Sequence, residues 1–196
     1  KKVFDESKLP YYVIPGDHDL WDARDKGKVA VNNFSQVFGT PYQSFSDSGI
    51  RFILLYNSDN YYGVSDLQFA WLKEELGKET KDQTKATYVF LHEPLVHPTS
   101  DRVMGSERKA DPGTPANEKN QTQAKELLDI FSKAKVAGIF AGDIHAFTTY
   151  IDAASNIKMV TVGALTEERN TEPPRFAIVD VIDSGGYNIS DIEVTR

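Results

Sequence analysis

Three apolar runs set the strongest limit on what this chain can fold into: IRFILLY at 50–56, TYVFLH at 87–92 and GIFAG at 138–142. Each is short, rich in branched and aromatic residues, and bounded by polar or turn-forming residues, as buried strands are. Between the first two lies a segment that opens with Ser65 and Gln68, a capping-box spacing, and carries Leu67, Trp71, Leu72 and Leu76 on one helical face. Between the second and third, QAKELLDIFSKA at 123–134 shows the same period through Ala124, Leu127, Leu128, Phe131 and Ala134. Strands alternating with helices predict an α/β sheet with helices outside it.

The remaining segments extend that pattern. YYVI at 11–14 reads as a further short strand, KVAVNNFSQVFG at 28–39 as a helix ended by Gly39, and 42–57 as two strands around a turn at Ser48 and Gly49. The tail, with TTYIDA, IKMVTVG, RFAIVDVI and YNISDIEV, reads as four short strands forming a second sheet packed on the first. The strands ending at Ile14, His92 and Ala141 are expected to share one mixed sheet with their carboxyl ends on a common edge. No repeat or composition break divides the chain, so residues 1–196 form one domain, interrupted by a long loop at 98–121. That loop carries Arg102, Arg108 and Lys109, which suit either an anionic substrate or an ordinary solvated surface.

Composition excludes some functions. A net charge of −7 leaves no broad cationic surface for a nucleic-acid backbone or an anionic membrane. No apolar run is long enough to span a bilayer. The absence of cysteine leaves only nitrogen and oxygen ligands for a metal. The chain begins Lys1-Lys2 and not with methionine, so its first residue is expected not to be the first translated.

Chemistry gathers where the strands end. VIPGDHDLWD at 13–22 places Asp17, His18 and Asp19 on one turn, His92 closes the second apolar run, and Asp143 and His145 follow the third. In open α/β sheets the loops at strand carboxyl ends converge on one edge, and ligands bind there. Asp and His together suit Mn, Fe, Zn or a related divalent ion. His97 sits five positions beyond His92, and Trp21 and Asp22 stand beside the first turn; each is more readily explained by packing or a loop hydrogen bond.

The succession GDHD, FxxxFG, YxSF, GIRFILL, QFAWLKEEL, VFLHEPL and GIFAGDIH resembles the calcineurin-like metallophosphoesterases, whose later motifs are G-N-H-[DE], an apolar strand ending in His, and G-H-x-H. The resemblance covers nearly the whole chain from Tyr11. It implies an α/β/β/α sandwich of two mixed sheets flanked by helices, and a metal-dependent phosphoesterase that hydrolyses a phosphomonoester or phosphodiester with a metal-activated hydroxide. By that likeness Asp17, His92, Asp143 and His145 are metal ligands, His18 faces the substrate and protonates the leaving oxygen, and Asp19 orients His18. Two divalent ions, Mn, Fe, Zn or Mg, would fill a complete site.

The chain departs from the family pattern at both motif ends. Asp stands at 17 where the family has Asn and at 143 where it has His, a harder and more negative set that favours Mn or Mg and weakens the pair as a Lewis acid. The family's D-x-H and G-D motifs are not found before Asp17, so the fold is expected to lack its N-terminal strands, to leave an exposed edge open to self-association, and to hold at most one ion. The alternative is a non-catalytic binding or scaffold domain with a degenerate metal site.

Overall fold

A computed structural model describes residues 1–78, 84–107, 116–167, 170 and 172–195. The elements are α1 (Lys2–Ser7), α2 (His18–Asp25), α3 (Asn32–Phe38), β1 (Gln43–Asp47), β2 (Ile50–Leu54), α4 (Asp66–Gly77), β3 (Ala86–Phe90), α5 (Glu118–Lys133), β4 (Gly138–Ala141), β5 (Thr148–Ile151), β6 (Lys158–Thr161), β7 (Arg175–Val181) and β8 (Tyr187–Glu193). Six strands form a mixed sheet in the order β1-β2-β3-β4-β6-β5. Its inner strands β2, β3, β4 and β6 are parallel, and β1 and β5 close the edges antiparallel. The three apolar runs are therefore neighbours, and their carboxyl ends share one edge.

Alternation along the strands sorts the core into two layers. Ile53, Leu55, Val89, Leu91, Ile139, Ala141 and Met159 pack under α4 and α5, against Phe69, Leu72, Leu127 and Phe131. Ile50, Tyr88, Phe140 and Val160 face the opposite way and meet the β7–β8 hairpin through Val179, Val181, Tyr187 and Ile189. The fold is thus α/β with a second sheet on the face away from the helices. That second sheet takes only β7 and β8, an antiparallel pair, whereas β5 and β6 complete the first sheet. Among the described residues, no helix is long and apolar enough to cross a membrane.

Three further expectations need correction. YYVI is not a strand: among the described residues no backbone hydrogen bond joins residues 11–14 to a neighbour, and strand geometry persists only through such pairing. Side chains anchor that segment instead, the Tyr12 ring stacking on Phe45 with centroids 3.7 Å apart. On α4, Leu67 is 78% exposed, and the buried face runs through Gln68, Phe69 and Leu72. The long loop ends early, because Asn117 caps α5 by accepting a hydrogen bond from the Asn120 amide. The loop is also pinned: Met104 lies in the core, its amide donating to Pro94 at 2.9 Å. At Gly105, with φ of +78°, a Cβ would fall 2.5 Å from the Gln121 nitrogen, so the crossing tolerates only glycine. Arg108 and Lys109 lie outside the described residues.

Candidate metal centre

The sheet's ladder runs past the regular ends of β3 and β4. Leu91 donates to Phe140 and Gly142 donates to His92, each at 2.9 Å, which sets His92 beside the Gly142–Asp143 turn. Asp143 takes a left-handed conformation at φ of 60°, which Asp enters more readily than most residues. Asp17 arrives from the other side, immediately before α2, where its Oδ1 accepts from the His18 amide at 3.0 Å. Asp17, His92 and Asp143 each present one ligand atom, and the three atoms lie within 4.8 Å of one another.

The spacing suits a single ion. His92 Nε2 is 3.2 Å from Asp17 Oδ1 and 3.8 Å from Asp143 Oδ1. Ligand atoms about 2.0–2.2 Å from an ion stand about 2.8–3.1 Å apart in octahedral and about 3.3–3.6 Å apart in tetrahedral geometry, so the site would have to draw in slightly to seat one. Asp17 and Asp143 are buried, and a buried carboxylate needs a compensating partner. Burial lowers the His92 pKa, but the Asp17 hydrogen bond and the charges of Asp143, Asp17 and Glu93 outweigh it and hold the ring above the ordinary histidine value.

Neighbouring residues fix this arrangement. Asn57, fully buried just past β2, accepts from the amides of His92 at 3.0 Å and Glu93 at 3.1 Å and donates to the Glu93 carbonyl at 2.7 Å. Ser58 donates to the Pro15 carbonyl at 2.8 Å, tying the Asp17 loop to the same strand end. Gly16 lies against the imidazole: a Cβ there would stand 3.0 Å from His92 Cε1. Arg102 Nη2 lies 3.0 Å from Asp143 Oδ1. Asn57 and Ser58 belong to no motif in the sequence, and Gly16 enters only as the first residue of GDHD; the signal for the first two is a pair of polar residues directly after an apolar strand on the ligand-bearing edge.

Other candidate residues occupy different places. His145 does not join the cluster; it is half-buried with φ of 62°. His18 is exposed, its ring against Trp21 with centroids 3.9 Å apart, and the Asp19 carboxylate accepts from the Gly16 amide at 2.8 Å. Asp22 pairs with Lys26 at 2.6 Å and accepts from Asn33. His97 is built into a turn: its Nδ1 accepts from the Ser100 amide at 3.0 Å, its Nε2 lies 3.0 Å from Thr148 Oγ1, and burial lowers its pKa. An open cavity of about 480 Å³, with Tyr12, Phe90 and Phe140 in its walls, reaches His92.

No family model matches the chain. It is similar to the serine/threonine-protein phosphatase CPPED1 of Rattus norvegicus, at 28% identity over 171 residues that make up 84% of this chain and 49% of that protein. It is also similar to purple acid phosphatase 23 of Arabidopsis thaliana, at 26% identity over 72% of this chain and 29% of that protein. The chain therefore spans about half the length of the first of these relatives and less than a third of the second. In fold it resembles a dimetal phosphatase from Danio rerio, with a TM-score of 0.53 and 15% identity over 82% of this chain and 62% of the other. The purple acid phosphatase PPD1 of yellow lupin seeds superposes with a TM-score of 0.52 and 15% identity, over 79% of this chain and 31% of that one. In sequence and in fold, the chain is similar to phosphatases of the calcineurin-like metallophosphoesterase superfamily.

Proposed function

We propose that this chain carries one metal-binding half of a phosphoesterase site, acting on a phosphomonoester or phosphodiester. The observation behind this reading is the buried Asp17–His92–Asp143 triad on the edge where the parallel strands end. The phosphatase names of the relatives support the reaction class. A bound divalent ion supplies Lewis acidity toward a phosphate oxygen. Two hard carboxylates and one imidazole suit Mn or Mg above softer ions.

The chain's own residues divide the remaining work. Asp17, His92 and Asp143 hold the ion, and Asn57 and Ser58 hold the loops that carry them. His18, exposed one residue from Asp17, donates a proton to the departing oxygen. Asp19 acts through the loop, since its carboxylate accepts from the amide of Gly16, the residue whose α-carbon lies against His92. The cavity beside His92 receives the organic part of the ester. His145 is assigned to a second ion, whose other ligands lie outside this triad.

Calorimetric titration with Mn²⁺, combined with hydrolysis of p-nitrophenyl phosphate and bis-p-nitrophenyl phosphate, tests the reading. The expected result is one Mn²⁺ per chain with weak turnover, binding lost in His92→Ala and Asp143→Ala, and binding kept in His18→Ala with turnover lowered about 10²–10⁴-fold. A chain that binds no Mn²⁺, or a His18→Ala variant that loses it, would overturn these assignments.

A further inference from the structure

Arg102 brings a cation to the triad. Its Nη2 lies 3.0 Å from Asp143 Oδ1, the oxygen that also stands 3.8 Å from His92 Nε2. The Asp143 side chain is 2% exposed and that of Arg102 37%, so the guanidinium reaches a buried carboxylate from a partly open position. Its backbone is fixed on both sides, by the Arg102 amide donating to Ser100 Oγ at 3.1 Å and by the buried Met104 two residues on. Any movement of the charge is therefore a side-chain movement.

We propose that Arg102 serves Asp143 as an internal counter-ion, and that it competes with a divalent ion for that carboxylate. This role presupposes the metal site proposed above. A buried carboxylate is strongly disfavoured without compensating charge, and the guanidinium at 3.0 Å contributes that charge. An ion held by Asp17, His92 and Asp143 would share Asp143 Oδ1 with a second positive charge a few ångströms away, where the surrounding protein screens repulsion poorly. A bound ion would therefore weaken the Arg102–Asp143 pair, and the pair would weaken ion binding. The residue lowers metal affinity while protecting the apo fold, the opposite of what a group that merely orients Asp143 would do.

The test compares the full chain with Arg102→Gln and Arg102→Lys after EDTA treatment and dialysis, with Mn²⁺ affinity read by calorimetry and melting temperature read with and without Mn²⁺. Arg102→Gln is expected to bind Mn²⁺ about tenfold more tightly, the factor matching the weaker end of a charged hydrogen bond. Arg102→Lys, which keeps the charge but loses the planar fork, falls between the two and remains informative should the glutamine variant misfold. Without metal Arg102→Gln melts below the parent, and saturating Mn²⁺ closes the gap. Unchanged or weaker affinity in both variants overturns the counter-ion role while leaving the metal reading standing. No Mn²⁺ binding by the parent or either variant overturns the metal reading itself, and this inference with it.

Discussion

The amide of Asn57 serves three backbone groups at the turn that carries His92: two N–H groups and one carbonyl, all within hydrogen-bonding distance. Asn57→Ala would leave those groups unsatisfied in a place that water does not reach, at about 1–3 kcal/mol for each group that finds no substitute. The expected outcome is a loss of several kcal/mol in denaturant unfolding and a Mn²⁺ affinity lower by about 10–100-fold, the usual consequence of removing a residue that orients a ligand. A variant with parental stability and parental affinity would show that the turn holds itself. Asp17, His92 and Asp143 were legible as candidates because Asp and His directly follow short apolar runs, and Asp17 joins the cluster although the run before it is not a strand. Asn57 and Ser58 were not, since nothing in their identity shows that their partners lie on β3 and on the Pro15 segment. Arg102 was visible only as a charge, because its pairing with Asp143 depends on how the loop is pinned at Met104.

The fourth helix shows how one short motif can hold both a local and a long-range role. Ser65 caps it by accepting from the Gln68 amide, as the sequence spacing suggests. The Gln68 side chain, however, turns inward and pairs with both the N–H and the carbonyl of Tyr56, each at 2.8 Å. It joins the helix start to the end of β2 and does not complete a capping box. Ser65→Ala should therefore cost about 1 kcal/mol, with a melting temperature lower by about 2–4 °C. Gln68→Ala should cost clearly more, because it leaves the Tyr56 pair unmet; equal effects in thermal melts would contradict this division. The strands flanking this helix were legible from apolar runs, whereas YYVI was misread because an apolar tetrapeptide carries no record of whether a partner strand pairs with it.

Across the whole molecule, the hairpin is fastened to the sheet by tyrosines. The Tyr88 hydroxyl donates to the Gly185 carbonyl at 2.5 Å, and the Tyr187 ring meets Tyr88 edge-on with centroids 5.5 Å apart. Among the described residues the Tyr187 hydroxyl is buried without a hydrogen-bond partner. Burial, and after it the nearby Tyr88, pushes the Tyr187 pKa up to about 12. The folded state thus favours the neutral phenol, so its contribution is complete below the ordinary tyrosine value of 10.0 and is lost as pH rises toward about 12. Tyr187→Phe should match the parent at pH 7 or exceed it by about 1 kcal/mol, since it removes an unsatisfied buried polar group. It should also lose less stability between pH 10 and 12; parallel decline in the two proteins would remove Tyr187 as the cause. The sheet with helices on one face was legible in the alternation of segments, but the division of the tail between two sheets was not, because β5 and β6 carry the same short-strand signature as β7 and β8. One further consequence follows from the triad's spread along the chain, with Asp17 and His92 75 positions apart. An unfolded chain scatters those donors, so an ion held there binds the folded state alone and adds about 1.4 kcal/mol to its stability for each tenfold rise in free ion beyond the dissociation constant. With such an ion bound, chelation would shorten the survival of the chain under proteolysis, and the local cation supply would help to set how much of the protein persists.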